Sequence, residues 1–340
     1  MARSVGSSAR KIVGTVSVAA ILLAVSGCGL LGGDAEEASG STTPGQVEKA
    51  GIKLGLLPII DVAPVHIAIE RGYFEDEGLK VEPITIQGGA AAIPGLVSGD
   101  LDMTFGNFVS FFNAQAKDTA KDVGGLRLIM DGYQAKPEMF LVLAKAGSRI
   151  KSPRDLAGKT LGINTTRNIA ELTFRASLEA NNVDPNRVTF KEVPLPDMEA
   201  AVENNVVDAA FSSEPFITRA QRNSGQIAVL DAASGPTDGI PIAGYGTTGK
   251  FLQDNPKTVA AFQRALVKGQ RDAGDHALVR QLLTEYAKVD KETAALVHFG
   301  EFPTTLDATR LQRVAALMRT YGLLETDFDV KPMLVPVPED

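Results

Sequence analysis

Tryptophan is absent from the 340-residue chain, and aromatic residues make up only 6% of it. A site walled by stacked rings has little to draw on. There is one cysteine, Cys28. That excludes an intramolecular disulfide, a thiolate zinc site and a cysteine-dependent active site. The three histidines, His66, His276 and His298, are scattered, with no HExxH pattern, so neither a metal nor a cofactor is expected. No GxSxG elbow and no Walker loop occurs. Positive charge is also scarce. The formal net charge is −7, and the first 27 residues carry Arg3, Arg10 and Lys11 with no acid, so the remainder stands at −10. Such an acidic chain is a poor partner for nucleic acid or for an anionic membrane surface.

What is present begins with an address. A basic flank precedes an apolar run over 12–25, about 14 residues where a membrane-spanning helix needs roughly 20. That is the pattern of a secretory signal peptide over 1–27. The run ends in Val25-Ser26-Gly27-Cys28, which resembles the bacterial lipoprotein cleavage box. Small residues admit the peptidase and the thiol of Cys28 receives lipid. Residues 28–50, rich in Gly, Ser, Thr and acids, then read as a flexible lipidated tether. The expected location is extracytoplasmic, anchored to the cell membrane through Cys28.

Beyond the tether, strands and helices alternate. Strands are predicted over 52–57, 79–86, 102–105, 126–133 and 139–144, with helices over 64–70 and from Gly88-Gly89 onward through Ile93, Leu96 and Val97. The pattern restarts near Lys145. Ser152-Pro153 reads as a helix start. Strands at 160–164, 188–193, 209–212 and 227–230 alternate with helices at 168–181, 198–204 and 215–224, and Asn168 and Glu171 are spaced as a capping box. The last hundred residues are helical, with apolar stripes at Val259, Phe262, Leu266 and at Leu311, Val314, Met318. Alternation of this kind implies an α/β fold with parallel sheets. Two lobes are expected, residues 51–145 plus 240–335 and residues 146–239, with crossings near Lys145 and Gly239 that act as a hinge.

Several short runs are familiar. Gly72-Tyr73-Phe74-Glu75-Asp76-Glu77-Gly78-Leu79, Leu96 to Asp102, Asp155 to Gly162, Val206-Val207-Asp208-Ala209-Ala210 and Glu214-Pro215 stand in the order and spacing of one family. The chain resembles the nitrate/sulfonate/taurine-type substrate-binding proteins of ABC importers, relatives of the thiamine-pyrimidine precursor binders. The resemblance implies the type II periplasmic-binding-protein fold, a monomeric two-lobed clamp with a ligand cleft. It implies a membrane permease as partner and, through it, a cytoplasmic ATPase. The expected solute is small and anionic or zwitterionic, of the sulfonate, taurine or nitrate type. The alternatives are a thiamine-pyrimidine precursor, or a sensor that presents solute to a membrane receptor. Enzymes of this fold carry a cysteine-rich motif that the chain lacks, so no catalysis is expected.

In open parallel sheets, ligands bind beyond the carboxyl ends of the strands. The loops there supply the candidate site: Asp61, Gly88, Gly89, Ala90, Asn107, Phe108, Thr165, Thr166, Asn168, Glu214 and Tyr245. Several precede helices, whose amino ends favour an anion. Thr165 and Thr166 offer hydroxyls, and Arg167 adjoins them. Asp61 and Glu214 offer carboxylates to a ligand amine. Phe108 is expected as an apolar wall, and Phe105, Phe111 and Phe112 as core.

Overall fold

The structure, a computed structural model, describes residues 47–338. Cys28, the signal peptide and most of the tether lie outside the described residues. No helix among the described residues is long and apolar enough to cross a membrane.

Two five-stranded sheets organise the fold. The first holds β1 (Gly51–Leu56), β2 (Lys80–Thr85), β3 (Met103–Asn107), β4 (Leu126–Gln134) and β10 (Pro241–Thr248), in the order β2-β1-β3-β10-β4. The second holds β5 (Leu141–Ala144), β6 (Thr160–Ile163), β7 (Thr189–Glu192), β8 (Ala209–Ser212) and β9 (Ile227–Asp231), in the order β7-β6-β8-β5-β9. The two share one plan. Three strands run parallel, and a fourth, contributed by chain arriving from the other lobe, is inserted antiparallel beside the third.

The helices that cover the first sheet are α1 (Ala63–Glu70), α2 (Tyr73–Asp76), α3 (Gly89–Ser98) and α4 (Phe108–Ala116). The second sheet carries α5 (Ile169–Ala180), α6 (Met198–Glu203) and α7 (Phe216–Ser224). After β10 the chain is helical: α8 (Gly249–Asp254), α9 (Pro256–Asp272), α10 (His276–Tyr286), α11 (Lys291–Leu296) and α12 (Ala308–Thr320). α9 packs on α1 and α2, α10 on α1, and α12 on α4, so this tail belongs to the first lobe. Its predicted stripes explain the docking, since Val259, Phe262, Leu266, Leu311, Val314 and Met318 are all buried. Each such side chain contributes about 1.5–3 kcal/mol of apolar burial.

Three sequence expectations need correction. The strand at 141–144, assigned to the first lobe, pairs with β8 and β9 in the second sheet. The first crossing therefore lies at 135–140, at the polar break Lys136-Pro137-Glu138 and ahead of Lys145, because the apolar run after that break already pairs in the second sheet. The two crossing segments are stitched together by Ala135 N–H to Ile240 O (3.0 Å) and Ala232 N–H to Phe140 O (2.8 Å). Second, the helix that starts at Ser152-Pro153 is only a four-residue 3-10 helix, Pro153–Leu156, with Ser152 and Asp155 forming its capping box. Third, the tether ends before Ala50. Glu48 accepts from the Lys257 and Thr258 N–H groups at the amino end of α9, and Lys49 pairs with Asp102 at 2.6 Å. A carboxylate there satisfies donors that the helix leaves open.

Candidate ligand cleft between the lobes

The loops after the parallel strands of the two sheets face each other across a crevice. The first lobe contributes Leu57 and Asp61 after β1, Gly89 after β2, Phe105 and Asn107 from β3, and Ile242 and Ala243 from β10. The second contributes Asn164 and Ile169 after β6, Leu195 after β7, and Phe211 and Ser213 around the end of β8. Phe140, on the crossing, closes one side and packs against Phe211 with ring centres 4.9 Å apart. The cavity between them is about 40 Å3, room for about three water molecules. A larger solute requires the lobes to part.

Both flanks of the crevice are bridged. On one, Asn113 donates to Arg167 O (2.9 Å), Arg167 Nη2 to Leu323 O (2.7 Å), and Ile169 N–H to Asn107 Oδ1 (3.2 Å). On the other, Ile60 N–H donates to Glu214 O (3.1 Å), His298 contacts the Glu214 carboxylate, and Arg222 pairs with Asp290 at 2.8 Å. The lobes are closed on each other.

Asp61 is the exceptional group. It lines the cavity at 2% exposure, and its Oδ1 has no hydrogen-bond partner. Burial pushes its carboxyl up to about 7, against a smaller opposing pull from its own backbone N–H. The phenols of Tyr133, Tyr245 and Tyr286 are pushed well above their ordinary value, first by burial and then by the charge of Asp61. Tyr133 accepts from Gly300 N–H and Tyr286 donates to Ile59 O, while the Tyr245 hydroxyl is buried without a partner.

The amino ends of the helices are mostly satisfied from within. Asn107 caps α4 through Ser110 N–H, Asn168 caps α5 through Glu171 N–H, and Glu214 accepts from Thr218 N–H and Oγ1 at the start of α7. The α3 amino end, at Gly88-Gly89, has no side-chain cap. Gly89 is there for a steric reason: a Cβ on it would stand 2.8 Å from Gly106 Cα. Among the residues lining the cavity there is no Lys, Arg or His.

Of the residues expected from sequence, Asp61, Gly89, Asn107 and Asn168 converge on the cavity. Gly88 and Thr165 sit at its rim, where a Cβ on Gly88 would meet Thr165 Cγ2 of the other lobe at 3.0 Å. Ala90 and Thr166 line a separate groove with Arg167, and the Thr166 hydroxyl bonds Glu192. Phe108 does not reach the cavity. It is fully buried and stacks on Phe112, because the helix turns it toward β10 instead. Tyr245 lies in the core between Phe105 and Phe262. The carboxylate of Glu214 is turned away from the cavity, occupied by Thr218 and His298. The predicted capping box is shifted by one residue: Glu171 reaches back to Arg167 N–H, not to Asn168. His66 stacks on Tyr286 in a neighbouring cavity. Phe105, expected as core, forms part of the wall, and Asn164, Phe140, Leu195 and Phe211 were not singled out at all. Asn164 ends its strand segment as Asn107 does, and that position was its signal.

A family model described as NMT1/THI5 like matches residues 59–277. The riboflavin-binding protein RibY of Chloroflexus aurantiacus is 25% identical over 84% of this chain and 84% of its own length. The nitrate/nitrite binding protein NrtA of a Nostoc species is 25% identical over 66% of this chain, which spans only 54% of that relative. Among solved structures, the alkanesulfonate-binding protein SsuA from Xanthomonas axonopodis pv. citri, bound to MOPS, superposes with a TM-score of 0.71. It covers 85% of this chain and 99% of its own, at 16% identity. The fold, two βα lobes around a cleft, is the one these periplasmic-type binding proteins share.

Proposed function

The chain belongs to the NMT1/THI5-like family, and from that premise we propose that it is the solute-binding component of an ABC importer. A small solute enters the crevice while the lobes are apart. It then touches both lobes only when they close, and this differential contact shifts the population to the closed form. The closed form hands the solute to a membrane permease powered by a cytoplasmic ATPase. The observation that carries the reading is a crevice lined from both lobes, with a buried unpartnered acceptor at Asp61. The names of the relatives, a riboflavin binder and a nitrate/nitrite binder, add support. The signal-peptide pattern and the cleavage-box resemblance at Val25 to Cys28 support a location outside the cytoplasmic membrane, with lipid on Cys28. The clamp needs no bond-making chemistry.

Of the solute types expected from the sequence, a sulfonate, taurine or nitrate is supported within the site by the uncapped amino end of α3, and nitrate also by the name of one relative. The aromatic walls Phe105, Phe140 and Phe211 favour a ring-bearing solute, such as a pyrimidine precursor. A thermal-shift and titration panel tests the reading. A true solute at ~1,000 times its dissociation constant stabilises by about 4 kcal/mol, a rise in Tm of about 8 °C for a domain of this size. One-to-one binding is expected; the absence of any binding across the panel counts against the reading.

A further inference from the structure

Resting on that solute-binding reading, we infer that the solute is uncharged and apolar over most of its surface, and that it presents an N–H or O–H donor to Asp61 Oδ1. Asp61 is then the residue that sets specificity.

Four observations converge. First, Asp61 Oδ1 is a buried acceptor with no partner, and native proteins seldom leave such a group open without a use for it. The other orphaned polar atoms among the described residues, such as Ser110 Oγ and Gln270 Oε1, belong to residues that do not line this cavity. Second, no basic side chain lines the cavity. An oxyanion would bring its charge beside a carboxyl in a medium of low dielectric, with no cationic side chain to offset the repulsion, only neutral donors and the open end of α3. Third, the amino ends of α4, α5 and α7 are occupied by Asn107, Asn168 and Glu214, which leaves the short-range pull on an anion to the α3 end alone. Fourth, most of the residues that line the cavity with Asp61 are apolar, among them Leu57, Phe105, Phe140, Phe211 and Ile242.

A cationic solute fits less well. An ammonium brings three donors. Asn107 Oδ1 and Asn168 Oδ1 are already accepting from backbone N–H groups and Asn164 Oδ1 from Asn168, which leaves Asp61 and the Ser213 hydroxyl to receive it, one acceptor short. A zwitterion such as taurine would in addition need a cation for its sulfonate. One neutral N–H or O–H needs one acceptor, and Asp61 Oδ1 is a buried one left open.

The test titrates the full chain and its Asp61→Leu and Asp61→Asn variants with riboflavin, a 4-aminopyrimidine, taurine, methanesulfonate and nitrate. At least one uncharged probe is expected to bind. Asp61→Leu is expected to weaken it by about 10- to 100-fold, and Asp61→Asn, which keeps an acceptor oxygen, by less. The ligand-free Asp61→Leu variant should also melt higher than wild type, because the uncompensated carboxyl is gone. Binding by an oxyanion alone overturns the inference and leaves the solute-binding reading standing. Failure of the whole panel sinks both. An Asp61→Leu variant that melts lower and binds the uncharged probe unchanged makes Asp61 a structural residue and also overturns the inference.

Discussion

Glu214 and His298 meet across the seam between the lobes, with His298 Nδ1 and N–H each 3.2 Å from Glu214 Oε1. The glutamate is fully buried on the second lobe, and the same carboxylate receives Thr218 at the start of α7. The histidine comes from the segment after α11. One carboxylate thus caps a helix in one lobe and holds a loop carried by the other. Sequence reading offered Glu214 to the solute, whereas the fold uses it to join the two bodies that close on the solute.

The latch should respond to pH. The bond to Glu214 raises His298 above its ordinary value of 6.5, against an opposing push from partial burial. A group raised on folding contributes stability that is fully present below its unfolded pKa and is lost as pH rises through the folded one. His298→Ala is therefore expected to cost about 1 kcal/mol at pH 6 and less at pH 8.5, as read from urea midpoints at the two pH values. An equal cost at both would remove the ion pair from the account.

Asp61 predicts a second pH effect of larger size. Its carboxyl is held near 7 by burial, above the 3.8 it has when exposed. The folded chain keeps a proton that the unfolded chain releases, so stability falls as pH rises from about 4 to 7. Asp61→Asn should melt close to wild type at pH 4 and be the more stable protein at pH 8. The upper bound on that gain is about 4 kcal/mol. A wild-type and variant difference that stays flat between those pH values would refute the assignment.

Arg167 straps the other flank. Its guanidinium donates to Leu323 O of the first lobe, while its backbone N–H is held by Glu171 of its own. Arg167→Ala should leave the melting temperature nearly unchanged, since the side chain is exposed. Solute affinity should fall about 3- to 10-fold, because one bond of the closed form is lost. Calorimetric titration with any bound probe reads both quantities against wild type.

The adjacent glycines separate folding from closure. An alanine at Gly89 would press on the Gly106 backbone within the first lobe, so Gly89→Ala should destabilise by about 1–3 kcal/mol. An alanine at Gly88 would meet Asn164 and Thr165 side chains of the second lobe instead, at 3.0 Å. Gly88→Ala should therefore melt as wild type but bind solute more weakly. The opposite pattern, a destabilised Gly88→Ala and a stable Gly89→Ala, would mean the crevice is built differently.

The sequence alone determined the layers of this protein. Strands and helices announce themselves by local period, and β-rich runs such as 126–133 and stripes such as Val259, Phe262 and Leu266 fell where the structure has them. The order of short motifs fixed the family, because turns and helix ends depend on near neighbours. What only the tertiary structure decided was which way side chains face once two sheets close over one crevice. Residues 139–144 read as one strand, yet the chain changes lobes just before Leu141, and no local signal marks a strand that pairs with partners some 70 and 85 positions away. Phe105 and Phe108 are three residues apart in sequence. One walls the cavity and the other is core, a difference set by where β3 ends and α4 begins. Asp61 and Glu214 look alike in sequence, as acids in proline-containing loops after strands. Burial without a partner makes the first a receptor for a donor, and burial with four donors makes the second a joint between lobes. The presence of a partner is a property of the closed fold, and no window of sequence contains it.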